Sequence, residues 1–505
     1  MIKTVNNIYY TLCTIIFSVL FVFINIILVN RSSMSVSAAL VMPVVYYALF
    51  KLFTLPTKSK FVNIQMITSG AALSLFGIEI AFISILIWGG DVEIYKLLII
   101  APLMNALAIL FSVPMIKTIK QDTYTFPKGK ITYELIRMVY DVKDKTKAMH
   151  SLALSVGVST LVSLPSNMMR GTISPMLFGI GMVMNIKSAI ILLAGGAYSL
   201  IILFTRYEMP GFSDHIQNPL IMHVAIGLLF GGVIHTMPPT INSIKDSLMK
   251  LLEGPKNTAN NKIKYGNVAP LALICLLSSV VMPWLLSISV LIWLFVLLLG
   301  LILAIAVIKI RGETGMGLGI SANILIPVIA LLTSDMSTTL LLTGAMVLLT
   351  IQSANFLEAI KVTQLLQLEE KSTIKHYLIG AVIGSIIGIL LLSLASRMFV
   401  FGSDSFPSPS ALFWGTQAEI FMGSDMSLNP YLLIGSVVLG FALSLVKVSA
   451  FTLSVGILLP AVTVITMFLG SCANYYLKLR RKADTQVVSS GLILGEGVVM
   501  ILRSF

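Results

Sequence analysis

Three glutamates lie deep inside apolar runs of this chain: Glu79 within 64–88, Glu313 inside Gly312-Glu313-Thr314-Gly315-Met316-Gly317-Leu318-Gly319, and Glu496 within 487–503. An ionisable group in such a setting is expensive, needs a partner or a path to water, and often marks a proton or ion route. A glutamate held out of water could take up and release a proton as its site faces one side and then the other. Glu79, Glu313 and Glu496 are therefore the candidate proton-coupling residues; a purely structural hydrogen-bonding role is the competing reading for each. Asn63, Gln65, Asn105, Asn185, Asn323, Gln352 and Asn355 accompany them at similar depth. Their amides could bind a peptide or hold helices together. His223 and His235 fall twelve residues apart with no carboxylate or cysteine at ligand spacing, and read as pore-lining or packed side chains. The 26 methionines are scattered as gap-filling side chains are, whereas a soft-metal route needs them converging. Cys13, Cys275 and Cys472 sit in apolar runs without metal-ligand spacing. Neither a metal site nor a cofactor is expected.

Other positions offer chemistry through the backbone. Gly171 to Pro175, the 312–319 run, and Gly456 to Pro460 place Gly or Pro at or near membrane depth. Such breaks free backbone N–H and C=O groups, which is tolerable only inside protein or along a wet cavity. Half-helix ends there can take ions or the charged groups of a substrate. Ser174, Pro175, Gly181, Asn185, Gly456 and Pro460, with Asn63 and Gln65, are the candidate substrate-binding residues. Glycine also permits close helix packing, the better reading for Gly195-Gly196. Gly384, in the unbroken segment 376–400, is expected to tolerate a large side chain better than Gly181 or Gly456.

The elements that carry these residues are apolar runs following one another from end to end. The chain is 57% hydrophobic and 11% charged, against roughly 25% charged in a soluble domain. Runs of about 20 residues suffice to cross about 30 Å of hydrocarbon. The expectation is an all-α polytopic membrane protein with about 16–17 hydrophobic segments, some broken or re-entrant. Tyr9 to Val29 reads as the first span, with no removable signal before it. The net charge of +13 gathers in loops between spans, which fits positive-inside topology better than nucleic-acid binding. Loop 117–147 has eight Lys/Arg against four Asp/Glu, and 237–267 and 478–486 are also basic. Loop 401–429 has Asp404, Glu419 and Asp425 and no Lys or Arg. A cytoplasmic N-terminus, in a plasma-membrane protein, puts every basic loop inside and the acidic loops 89–94 and 401–429 outside.

Internal echoes divide the chain. Val36 to Pro43 reads almost like Ile320 to Pro327, Phe126-Pro127 recurs as Phe406-Pro407, Gly181 and Gly195 recur as Gly456 and Gly470, and Gly227 to Gly231 recurs as Gly491 to Gly495. The four matches come in the same order and at nearly constant separation, shrinking only slightly from the first to the last. Two sequence-related halves follow: a first repeat over 1–236, a cytoplasmic loop and linker helix over 237–287, and a second repeat over 288–505. The Phe-Pro loops 117–147 and 401–429 are counterparts of opposite charge, as inverted repeats require. A parallel duplication with a miscounted segment is the alternative. Duplicated halves with the site between them are the ground plan of many secondary transporters.

The motifs carry a resemblance. Asn63-Ile64-Gln65-Met66-Ile67-Thr68-Ser69-Gly70, Tyr124 to Gly129 with Tyr133-Glu134-Leu135, and Ile173-Ser174-Pro175 through Gly181 to Ala194-Gly195-Gly196 resemble, in order, segments of the oligopeptide transporter superfamily, which includes the yellow stripe-like metal-chelate carriers. Phe406 to Pro409, Val455 to Pro460 and Gly491 to Glu496 are similar to its later motifs. Phe356-Leu357-Glu358-Ala359-Ile360-Lys361 departs from the family's usual stretch, keeping an acid and a lysine but not its glutamine and glycine. The chain is shorter than eukaryotic members, which suits a prokaryotic one. The resemblance implies cation-coupled symport, usually with protons, of short peptides or of metal–chelator complexes. The partners expected are that small molecule, a coupling cation and the lipid bilayer, with a homo-oligomer left open.

Two other classes compete. A lipid-linked membrane enzyme would show clustered acids beside a basic phosphate-binding loop. The nearest cluster, Lys117 to Lys147, reads instead as loop plus an amphipathic interfacial helix over Ile131 to Tyr140. A channel would also contain broken helices, but paired halves with scattered acids suit alternating access better.

Overall fold

The computed structural model describes residues 2–32, 35, 37–51, 54–116, 124–140, 145–164, 174–204, 220–221, 223–232, 234–235, 269–315, 320–333, 335–403, 406, 408–422, 430–459, 461–479 and 485–504. It is 87% helical, with no strand among those residues. Helices are what an apolar chain in lipid must form, because each backbone N–H and C=O then finds its partner within its own segment.

In chain order the helices are α1 (Ile2–Ser32), α2 (Ala38–Lys51), α3 (Lys58–Ala72), α4 (Ile78–Ile87), α5 (Ile94–Ser112), α6 (Pro127–Tyr140), α7 (Lys145–Ser163), α8 (Pro175–Val183), α9 (Ile186–Phe204), α10 (His223–Gly232), α11 (Ala269–Leu286), α12 (Val290–Thr314), α13 (Ile320–Ala330), α14 (Met336–Leu365), α15 (Glu370–Met398), α16 (Pro409–Met422), α17 (Pro430–Leu445), α18 (Ala450–Leu458), α19 (Ala461–Leu479) and α20 (Thr485–Ser504). Part of α1, α5 together with the turn Val113–Met115 that follows it, and the whole of α12, α14 and α15 are long and apolar enough to cross a bilayer alone. The chain is an all-α, multi-pass membrane protein. Leu273, Leu291, Val400 and Tyr431 turn outward, as a lipid-facing surface requires. At the centre stands α14, in which every residue from Thr339 to Thr363 is buried.

The helices pack through small residues. A Cβ on Gly70 would strike the backbone of Tyr377 and Ala381, and one on Gly380 the backbone of Ile67, so α3 and α15 lie almost backbone to backbone. In lipid, where no hydrophobic drive pulls helices together, such close approach supplies the dispersion contacts that hold them. Gly384 belongs to the same seam: its Cβ would sit 2.6 Å from Ala71 Cα and Cβ. The expectation that Gly384 tolerates bulk is overturned by this packing, which a continuous apolar segment does not reveal.

Contacts recur in matched pairs. Phe126 N–H donates to Gly312 C=O at 2.8 Å, and Ser408 N–H donates to Asn30 C=O at 2.7 Å. The step along the chain from Phe126 to Ser408 equals the step from Asn30 to Gly312, so one sequence offset relates the two contacts. Phe126 (φ 41°) and Ser408 (φ 45°) are non-glycine residues in the left-handed region, and each precedes the proline that opens α6 or α16. The match is thus Phe126-Pro127 with Ser408-Pro409, two residues along from Phe406-Pro407. Further on, α8 and α18 have nine residues each and α9 and α19 have nineteen each. Gly181 of α8 abuts Met467 of α19, while Gly456 of α18 abuts Leu192 and Gly195 of α9.

Two elements depart from the sequence reading. The segment 64–88 is not one helix; it breaks at 73–77, where Gly77 is left-handed (φ 96°) and so close to Gly344 that a Cβ would lie 2.7 Å from its carbonyl oxygen. The stretch Ile131 to Tyr140 is helical, but Ile131, Thr132, Glu134, Leu135 and Ile136 are all buried, and α6 packs between α2, α14 and α20 rather than lying on a surface. Its neighbours cover the apolar face and most of the polar one.

Candidate functional site

Two short helices organise the site. At about 1.5 Å per residue, nine residues reach about 14 Å, half of the hydrocarbon thickness. Both α8 and α18 begin behind a serine cap and end at an extended residue, Met184 or Leu459. Ser174 Oγ accepts from Leu177 N–H at 3.1 Å, and Ser449 Oγ from Thr452 N–H at 3.2 Å. Each cap also meets a glutamate. Ser174 O–H lies 2.9 and 2.8 Å from the two carboxylate oxygens of Glu496, and Met176 N–H donates to the second at 2.8 Å. Ser449 O–H donates to Glu313 Oε2 at 2.5 Å, and the Thr452 hydroxyl donates to the same oxygen. A carboxylate at a helix N-terminus meets unpaired N–H groups and the positive end of the helix dipole.

The two clasps are not copies. Ser174 and Ser449 are as far apart in sequence as Gly181 and Gly456, matching the repeat, but Glu496 projects from α20 and Glu313 from the end of α12. The residue matching Glu496 in the first half is Gly232, whose Cβ would approach the Phe451 ring and Ala450 at the head of α18. Lys309, one turn before Glu313, is buried, with its ammonium 5.8 Å from the Phe451 ring centre.

A buried charge cluster lies beside the Gly312 break. Arg311 is 1% exposed and donates through Nε to Glu358 Oε2 at 2.8 Å. Arg311 Nη1, Glu358 Oε1 and Asn355 Nδ2 are buried without a hydrogen-bond partner among the described residues. Glu358 and Asn355 face a small cavity with Ser37, Ser69 and Thr132. The N-terminal turn of α6 closes on the same carboxylate: a Cβ on Gly129 would lie 3.2 Å from Glu358 Cγ. Breaking such a pair by removing one partner costs about 3–5 kcal/mol, because a lone charge is left buried. Deeper still, Gln352 Nε2 donates to Asn105 Oδ1 at 2.7 Å and to Gly70 C=O at 3.2 Å, while Tyr377 O–H donates to Gln352 Oε1 at 3.1 Å. This network ties α3, α5, α14 and α15 together.

The sequence-predicted residues divide accordingly. Ser174, Pro175 and Glu496 come together at the head of α8, and Glu313 sits at the head of α18. Gly181 and Gly456 serve close packing within these short helices. Gln65 donates to Ala38 C=O at 3.2 Å and lines up beside Ser69, and Asn63 Oδ1 accepts from Ser372 at 2.9 Å. Glu79 is 2% exposed in the first turn of α4. Asn185 is exposed, accepting from Lys187 N–H at 3.1 Å, away from both clasps. His223 is buried, and His235 stands edge-on to Phe441. Pro460, the side chain of Asn323, Gly171 to Ile173, Met316 to Gly319 and loop 237–267 lie outside the described residues. Arg311 was not singled out in the sequence; the cue was its place one residue before the glycine run, opposite an acid that persists in an otherwise divergent motif.

Residues 258–505 match the family model described as OPT oligopeptide transporter protein. That span contains Arg311, Glu313, Glu358, Ser449 and Glu496. No curated protein matches the chain. The match covers the second half of the chain and, on a multi-pass helical frame, supports the oligopeptide transporter superfamily and a membrane transporter of oligopeptides or related substrates.

Proposed function

We propose that the protein is a proton-coupled symporter of short oligopeptides working by alternating access. Residues 1–236 and 288–505 act as inverted repeats joined through 237–287, in a plasma membrane with the N-terminus cytoplasmic. One observation carries the reading: two short helices at corresponding sequence positions are each held at the N-terminus by a partly buried glutamate. Uptake of a proton by either acid removes the charge that its donors and the helix dipole stabilise. Hydrogen bonds to a charged group contribute about 1.5–3 kcal/mol each, so a proton on Glu496 would loosen the head of α8 by several kcal/mol. That is enough to shift a two-state equilibrium by a factor of about 100 or more.

The paired contacts of Phe126 with Gly312 and of Ser408 with Asn30, and the matched caps Ser174 and Ser449, support two halves related by a two-fold axis. The opposite charge of loops 117–147 and 401–429 supports an axis in the membrane plane. Substrate would enter between the halves, near the heads of α8 and α18 and the Arg311–Glu358 pair. Uptake of a labelled dipeptide into proteoliposomes, with and without an inward proton gradient, tests the proposal. Equal uptake in both would sink proton coupling; no dipeptide uptake, with uptake of a metal–chelator complex instead, would sink the substrate.

A further inference from the structure

A cavity lies away from the clasps, as a groove of about 490 Å³ between α1, α3 and α15. It is open along its side, where Ile15, Ile379 and Ile383 are partly exposed among outward-facing apolar residues. The three helices run parallel here: Tyr10, Lys60 and His376 share one end, and Val22, Ala71 and Gly384 the other. From Lys60 to Ala71 is eleven residues, or about 16 Å of helix, which is close to half of the ~30 Å hydrocarbon core. Apart from Thr14 and Ser18, which bond to Tyr10 C=O and the Thr68 hydroxyl, its wall is apolar except at the first end. There Lys60 reaches Asn7 and covers the Tyr10 ring at 4.6 Å, and His376 Nδ1 lies 2.7 Å from Ser372 C=O. The N-termini of α3 and α15 point out of the same end, where exposed Lys51, Lys371 and Lys375 join Lys60, with Glu369 the exposed acid among them.

We propose that this groove binds one anionic phospholipid of the cytoplasmic leaflet. Its phosphate sits at Lys60 and His376, within the basic collar and the two helix N-termini, and one acyl chain lies along Val19, Val22, Ile64, Ile67 and Ile383. Three features select this occupant. The groove is one leaflet long, it opens sideways into lipid, and its positive end is on the side that the N-terminus-inside orientation makes cytoplasmic. Helix N-termini and lysines together favour phosphate, and basic pockets between spans on the cytoplasmic side take anionic headgroups. The occupied groove would stiffen the seam in which Gly70, Gly380 and Gly384 hold α3 against α15.

The test is native mass spectrometry of the full chain released from nanodiscs of phosphatidylcholine with phosphatidylglycerol. The wild-type protein should retain one phosphatidylglycerol in preference to phosphatidylcholine. Ile383→Trp fills the groove from its lipid-exposed side and should lose that lipid. Leu390→Trp, exposed on the same helix beyond the groove, should keep it. Lys60→Gln and Lys375→Gln should each weaken retention about fivefold, the effect of one basic residue near a membrane surface. Equal retention by Ile383→Trp and wild type would overturn the site. Loss in Ile383→Trp with no effect of either lysine would overturn phosphate recognition. Disulfide crosslinking of Ile383→Cys to a second copy, in a background without Cys13, Cys275 and Cys472, would show that protein covers the groove instead.

Discussion

Replacing Glu496 by glutamine changes one charge and almost no volume, which isolates the clasp on α8. The carboxylate receives Ser174 O–H across both oxygens and Met176 N–H at 2.8 Å. Glutamine keeps one acceptor oxygen, so one of these contacts survives as a neutral hydrogen bond worth about 1 kcal/mol, while a charged one contributes about 1.5–3 kcal/mol. The interaction of the charge with the helix N-terminus, about 0.3–1 kcal/mol, is lost as well. In total about 2–6 kcal/mol of clasp disappears, equivalent to a shift of at least about 30-fold between held and released α8. The variant therefore imitates the protonated state permanently. In proteoliposomes under an inward proton gradient, accumulation of labelled dipeptide by Glu496→Gln should fall at least about tenfold. Counterflow exchange, which needs no net proton movement, should stay within about threefold of wild type. Glu313→Gln should behave alike, since Ser449 and Thr452 both donate to one oxygen of Glu313. Normal gradient-driven accumulation by both variants, with folding verified by size-exclusion chromatography, would refute the coupling role and leave the two acids as structural caps.

Other expectations follow from the packing. Arg311→Met should lower stability by about 3–5 kcal/mol by stranding Glu358, and Arg311→Met with Glu358→Leu should recover most of it, as thermal unfolding in detergent would read; an additive double variant would mean that the pair is not coupled. Gly384→Leu should damage folding as much as Gly181→Leu or Gly456→Leu, since all three glycines abut backbone or Cα atoms, while Gly435→Leu, with open space around it, should fold normally; intact Gly384→Leu protein by size-exclusion chromatography would contradict the seam. For inversion, exposed residues in matching loops give the sharpest contrast: in a cysteine-free background, Leu55→Cys after α2 should label only from the cytoplasm and Leu331→Cys after α13 only from outside. Labelling of both from one face would make the repeats parallel.

Composition and periodicity were enough for the class of the molecule. Apolar runs in a bilayer have no stable option but helices, so the polytopic all-α frame, the loop charges and the echoes between halves were legible in the residues themselves. The acids Glu313 and Glu496 were legible too, because a carboxylate in an apolar run is costly wherever the chain places it. Their partners were not. Ser174 lies 322 residues from Glu496 and Ser449 lies 136 from Glu313, and local pattern carries no information over such distances. The break at Gly77 was hidden for a related reason: apolar side chains continue through it, and only the approach of Gly344 shows why the helix must open there. Gly384 looked unremarkable in sequence because glycine in a membrane helix acquires meaning from the helix opposite. Arg311 and Glu358, 47 residues apart on α12 and α14, became a pair only when the crossing of those helices buried both. The chain wrote the price of each buried group into its sequence, and tertiary packing chose what would compensate it.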